Sequence, residues 1–358
     1  MYLKNYLIFL CLGFCIEGIS QQVSLPFNNR DISYEGRILY RSNCAVLIWP
    51  GTSLTIRFRG TGMKAVFKEL DTANYYNIIL DSVFIREIHF DTIRKSYTLA
   101  TGLPDRIHTL QIFKRTGWEK GKTLFYGFDP VQHTVWLSPP VKPKRKMEFF
   151  GNSITCGYAI EDLAGDSPHG YYENNYNSYA AITARYFHAQ YHCTAKSGIG
   201  IMVSWFPLIM PEMYNRLDPT DPASRWDFSR YIPDLVVVNL LQNDYWITSL
   251  PANPEFKHRF GTVKPDSSFI IASYRKFIAR IRACYPAAKI ICMLGSMNIM
   301  EKNSPWKGYV STAVSELHDR KIFTFFAPYK NTPGHPKTAE QKQLAEELIA
   351  FIRQTIKW

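Results

Sequence analysis

Two hydrophobic periods divide the chain. From about Asn28 to Trp136, short runs rich in β-branched and aromatic residues are separated by turn residues: RILYR, CAVLIWPG, SLTIRFRGTG, MKAVFKEL, YYNIILDS, REIHF, KSYTLATG and HTLQIFKRT. In LTIRFRG, Leu54, Ile56 and Phe58 fall on one side and Thr55, Arg57 and Arg59 on the other, the period of two of a half-buried strand. Turn chemistry such as PG, GTG and TGLPD recurs throughout. The pattern predicts an all-β sandwich of jelly-roll type over residues 21–140.

Beyond Met147 the period changes. KMEFF, DLVVVNL and KIICMLG are apolar runs with few polar interruptions, as expected of parallel strands covered on both faces. Between and after them lie helical patterns: YNSYAAITARYF, SFIIASYRKFIARIRACYP with Pro286 as its stop, and TAEQKQLAEELIAFIRQTI. ARYFHAQYH also reads as helix, placing His188 and His192 four apart. Alternating strand and helix over residues 148–358 predicts a doubly wound sheet whose site lies beyond the carboxyl ends of the strands.

At 358 residues the chain is long enough for two domains with separate cores, and 46% hydrophobic against 20% charged residues excludes a disordered chain. The net charge of +12 raises nucleic-acid binding. Its densest basic run, VKPKRKM at residues 141–147, is short, has prolines beside it and belongs to no nucleic-acid module, so a solvated interdomain linker is expected and no nucleic-acid partner. At the N-terminus, Lys4 precedes an apolar run to about Ile16, followed by Gly18 and Ser20. This predicts an export signal over residues 1–20 with cleavage after Ser20, hence a secreted or periplasmic protein. The run is too short to span a bilayer, and no stable membrane insertion is expected. Phe14 makes lipid attachment at Cys15 the poorer alternative. Of seven cysteines five lie beyond this segment, so at least one stays unpaired within the chain. No CxxC pair occurs and no Glu follows His188 as in zinc proteases, so no metal site is expected.

Candidate chemistry centres on FFGNSITCGY, where Ser153 follows the KMEFF strand between Gly151 and Gly157. Such a serine can be an exposed nucleophile at a helix mouth or simply a helix cap, and the segment is not the GxSxG elbow. Three further blocks bear on it: SGIGI with Gly198, NLLQND with Asn243, and GHP with His335. In this order the four blocks resemble the SGNH (GDSL-type) hydrolases. The resemblance extends to the N-terminal half through YEGR, RFRGTGM, NYYNIILD and YTLATGLPDRIHTLQIFKRT, which with MEFFGNSITCGY look like carbohydrate esterase family 2.

The resemblance implies a jelly-roll domain followed by an α/β SGNH-hydrolase domain with a flavodoxin-like parallel sheet. It implies an esterase that removes O-acetyl groups from plant polysaccharides or their oligosaccharides, with Ser153 as nucleophile and His335 as general base. The oxyanion hole would comprise Ser153, Gly198 and Asn243, with no cofactor. Trp246 and Tyr158, next to the blocks, are the candidate sugar contacts, against ordinary packing; Asp244 is expected to be structural. Asn152 stands where the usual motif has Asp, and Leu241 and Gln242 replace Gly-Thr, predicting a bulkier pocket wall beside Asn243. NTPGHP offers no carboxylate at Thr332 or Pro333, so a Ser-His dyad is expected in which the Pro333 carbonyl orients His335 Nδ1. Two rival functions are an esterase on another sugar ester, such as a uronic acid methyl ester, and a non-catalytic carbohydrate-binding protein.

Overall fold

The computed structural model describes residues 23–131 and 133–357, so the expected export segment, with Cys11 and Cys15, lies outside the described residues. Within them, the N-terminal half forms two six-stranded antiparallel sheets. One is built on Ala45–Leu47, Thr123–Pro130, Met63–Glu69 and Lys95–Ala100, the other on Ser53–Gly60, Arg106–Lys114, Tyr76–Leu80 and Val83–Ile88. The alternation in Ser53–Gly60 decides which face is buried: Leu54, Ile56 and Phe58 enter one core with Phe67, Phe90 and Phe125, while Arg59 is exposed.

The second half is a five-stranded parallel sheet in the order Ala189–Ala195, Arg145–Gly151, Leu235–Asn239, Lys289–Leu294, Ile322–Phe326. Numbered along the chain this order is 2-1-3-4-5, the flavodoxin-like arrangement whose switch point lies between the first and third strands. Successive residues of the central strands serve opposite layers. Val236, Val238, Ile290 and Cys292 pack under helices Ser267–Cys284 and Trp306–Ser315, while Val237, Ile291 and Met293 pack under Tyr179–Tyr186 and Thr338–Thr355. This two-sided burial explains the uninterrupted apolar runs. Asp266 caps the long helix by accepting from the Phe269 N–H at 2.8 Å, and the helix ends two residues before Pro286.

Two expectations fail. The helix ends at Tyr186, His188 turns the backbone into the left-handed region at φ 49°, and His192 lies in the edge strand Ala189–Ala195. His192 is buried and stacks on Tyr231 with ring centres 3.5 Å apart. The basic segment is only partly linker: Arg145, Lys146 and Met147 open the first parallel strand, with Met147 fully buried and the Lys146 N–H donating to Asp234 at 2.8 Å.

The two halves share their interior. Cys44, Val46, Ile48, Trp49 and Leu124 of the sandwich belong to the same apolar cluster as Phe150 and Val236 of the parallel sheet. Two buried arginines cross this seam. Arg37 donates to Glu148 at 2.9 Å and to the carbonyls of Tyr214 and Arg216, and Arg115 pairs with Glu87 and Glu161 and donates to the carbonyls of Glu173 and Tyr171. The described cysteines, Cys44, Cys156, Cys193, Cys284 and Cys292, are all free thiols. No helix among the described residues is long and apolar enough to cross a membrane.

Candidate active site

The first parallel strand ends at Gly151 and a one-turn helix, Ser153–Cys156, begins at once. Its cap is Asn152, whose Oδ1 accepts from the Ile154 N–H at 3.1 Å. Ser153 is therefore the first helical residue and its hydroxyl is not spent on capping. Gly157 closes the turn at φ 76°, where a side chain would stand 2.6 Å from the Asn174 carbonyl oxygen, so both the conformation and the space require glycine.

His335 comes from the segment before the C-terminal helix Thr338–Thr355, and its Nε2 lies 2.9 Å from Ser153 Oγ. Its Nδ1 lies 2.8 Å from Asp166 Oδ2, and its backbone N–H also donates to the same carboxylate at 2.9 Å and 3.0 Å. The Pro333 carbonyl, expected to orient the ring, instead accepts from Lys330 Nζ at 3.1 Å. The dyad expectation is overturned: a carboxylate faces the histidine, but it arrives from the loop after the serine helix. Asp162 shapes that loop by accepting from the N–H groups of Ala164, Gly165 and Ser167. Lys337 holds Asp166 from the other side at 2.8 Å. Burial raises the Asp166 pKa, but hydrogen bonds from His335 and Lys337 outweigh it and hold the carboxyl well below the ordinary range.

Gly198 and Asn243 share a pocket of about 360 Å³ with Ser153 and His335. Gly198 adopts φ 81°, a conformation suited to glycine. Asn243 is the second residue of a short helix, Gln242–Ile247; its Oδ1 accepts from Trp205 Nε1 at 3.0 Å and its Nδ2 donates to the Ile199 carbonyl at 2.8 Å. These bonds fix the amide orientation and leave the second Nδ2 hydrogen free of a protein partner. The neighbouring Asp244 carboxylate is fully buried and accepts from the N–H groups of Ile201, Met202 and Val203, tying the glycine loop to the asparagine helix. Desolvation pushes its pKa up to about 6 despite those bonds.

Tyr158 and Trp246 both line the pocket. The Tyr158 ring packs against His335 with centres 4.7 Å apart, which makes it a support for the imidazole. Leu241 and Gln242 do not form the expected bulky wall. Leu241 is buried in the core at φ 77°, and Gln242 accepts from the Ile299 N–H at 3.2 Å. Sequence reasoning missed Asp166, Lys337 and Trp205. It also missed Lys196 and two residues of the sandwich, Glu119 and Lys120, which line the same pocket. Trp205 stands in the loop after SGIGI, where its nearness to the glycine block was the available signal. Lys337 stands two residues after His335.

Comparison with known proteins follows the same lines. A family model described as Carbohydrate esterase 2 N-terminal matches residues 34–140, and one described as GDSL-like Lipase/Acylhydrolase family matches residues 149–355. Cellulase/esterase CelE of Acetivibrio thermocellus is 31% identical over 346 residues, with 92% of this chain aligned; the chain spans only 40% of that protein's length. An acetylxylan esterase / glucomannan deacetylase of Cellvibrio japonicus is 26% identical, with 87% of this chain and 84% of the relative covered. The solved structure of a family two carbohydrate esterase from Clostridium thermocellum, in complex with cellohexaose, superposes with a TM-score of 0.80 at 31% identity, covering 90% of this chain and 98% of that one.

Proposed function

Because the chain belongs to the GDSL-like lipase/acylhydrolase family, with the two-domain build of the family two carbohydrate esterases, we propose that it removes O-acetyl groups from plant polysaccharides or their oligosaccharides through a serine acyl-enzyme. The observation that carries this reading is the relay from Ser153 Oγ to His335 Nε2 at 2.9 Å and from His335 Nδ1 to Asp166 at 2.8 Å. The ionised Asp166 fixes the tautomer that leaves Nε2 free to accept the serine proton. Ser153 Oγ attacks the ester carbonyl while His335 takes that proton. The oxyanion receives the N–H groups of Ser153 and Gly198 and the free Nδ2 hydrogen of Asn243, and His335 then returns the proton to the departing sugar oxygen. Water, deprotonated by the same histidine, repeats the attack on the acetyl-serine and releases acetate.

Acetate release from acetylated xylan and glucomannan, set against methanol release from a methyl-esterified pectin, tests the assignment. Acetate should dominate. Methanol release without acetate would shift the reading to uronic acid methyl esters, and substrate binding with no release of either would point to a non-catalytic carbohydrate-binding protein. Ser153→Ala should cut hydrolysis of 4-nitrophenyl acetate by at least about 10³-fold; undiminished hydrolysis would remove Ser153 from the mechanism. We place the protein outside the cytoplasm on the strength of the Met1–Ser20 segment. N-terminal sequencing of the exported form should begin at Gln21.

A further inference from the structure

The pocket beside Ser153 is walled in part by the other domain. The turn Trp118–Lys120, between the sandwich strands Arg106–Lys114 and Thr123–Pro130, carries Glu119 and Lys120 into it. Lys120 is committed: its Nζ donates to the Pro168 carbonyl at 2.6 Å and stands 3.5 Å from Glu173. Glu119 is not. Among the described residues no lysine, arginine or histidine pairs with its carboxylate, and its Oε2 is buried with no hydrogen-bond partner. The carboxylate folds over Gly117, where a Cβ would lie 2.6 Å from Oε2, so this placement depends on the missing side chain. Glu173 fixes the turn from beneath by accepting from the Gly117 N–H at 2.9 Å. The same pocket holds Lys196, whose ammonium lies 3.9 Å from the Phe206 ring centre and 4.9 Å from that of Trp118, also without a carboxylate partner among the described residues.

A half-buried carboxylate and an ammonium at the edge of a reaction site, the one without a hydrogen-bond partner for Oε2 and the other facing aromatic rings, cost desolvation energy that hydrogen bonds from a bound ligand would offset. A sugar ring that carries an ester on one carbon presents hydroxyls on the adjoining ones. We infer that Glu119 accepts hydrogen bonds from the free hydroxyls of the acylated sugar, with Lys196 donating to the same ring, so that the N-terminal domain selects the carbohydrate leaving group. This rests on the sugar-ester reading of the site. Glu119 acts here as a specificity-determining residue and takes no part in moving the proton.

The test uses the full chain and two substrates, an acetylated xylo-oligosaccharide and 4-nitrophenyl acetate. Glu119→Gln should raise KM for the oligosaccharide more than it lowers kcat, and should reduce the ratio of kcat/KM for the sugar ester to that for the aryl ester by about 10- to 100-fold. Glu119→Asp should recover part of that ratio. A parallel loss on both substrates with a lowered Tm, leaving the ratio unchanged, assigns Glu119 a structural role and overturns the inference. Where Glu119→Gln does not fold, Lys196→Met gives the same reading: a fallen ratio supports the pair, an unchanged one overturns it. Wild-type protein that cleaves the aryl ester and no sugar ester overturns this inference and the proposed substrate together, whereas a sugar-active wild type with unmoved ratios in the variants overturns this inference alone.

Discussion

At the scale of single residues, the separation of Asp166 from His335 by 169 positions is what the chain text hides. GDSP reads as a turn, and nothing in its spacing ties it to NTPGHP. Ser153 and His335 were legible because each sits at a strand end or helix start within a short block, whereas the acid depends on how a loop closes over the histidine. Asp166→Asn should keep the fold and lower kcat by about 10²- to 10⁴-fold with a smaller change in KM, as steady-state kinetics on 4-nitrophenyl acetate would show. A loss below about threefold would restore the dyad. Because hydrogen bonds depress the Asp166 pKa, its stabilising contribution persists above the ordinary carboxylate range and is lost only as pH falls through its lowered value.

Elements were read well where the period was unambiguous. Strands buried on both faces give continuous apolar runs, and long helices carry caps and stops, so Leu235–Asn239, Lys289–Leu294 and Ser267–Cys284 were visible. The region after Tyr186 was not, since histidines spaced four apart fit a helix face and, at that even spacing, one face of a strand equally. What decides it is the left-handed His188 and the register against the first strand, neither of which periodicity reports. The glycine loop poses a related problem, because its shape depends on an acid from another element. Asp244→Asn would set an amide against three N–H donors that now share a carboxylate. The expected result is a loss of about 1–3 kcal/mol in denaturant unfolding together with lower kcat, since the glycine loop would be tied to the asparagine helix by the Asn243 and Trp205 bonds alone. Retained stability with full activity would show that the loop keeps its shape without that anchor.

For the whole molecule the charged interior sets the pH response. Burial pushes the carboxyls of Asp244, Glu69 and Glu173 above their ordinary values. A group with a raised folded pKa takes up a proton more readily when folded, so its contribution is fullest below the unfolded value and declines as pH rises through the folded one. Between pH 8 and pH 5 these three favour a higher melting temperature at the acid end, whereas His192, whose pKa burial holds well below the ordinary value, opposes them. Asp244→Asn should therefore lower the melting temperature more at pH 5 than at pH 8, and an equal change at both would remove Asp244 from the pH response. The seam is the second determinant. Arg115→Ala would take the cation from Glu87 and Glu161 and leave the Glu173 and Tyr171 carbonyls short of a donor, for a cost of about 3 kcal/mol or more in urea unfolding.

The shared cluster that joins Trp49 and Val46 to Phe150 and Val236 bears on how such a chain can be rebuilt. A graft that exchanges only the hydrolytic half for that of a distant relative would cut through one interior and remove one wall of the pocket, so the two halves should be inherited, and engineered, as a single unit. Chimaeras with the crossover placed in residues 138–144 should lose both solubility and sugar preference unless the arginines that cross the seam and the Gly117–Lys120 turn come from the same parent as the hydrolytic half.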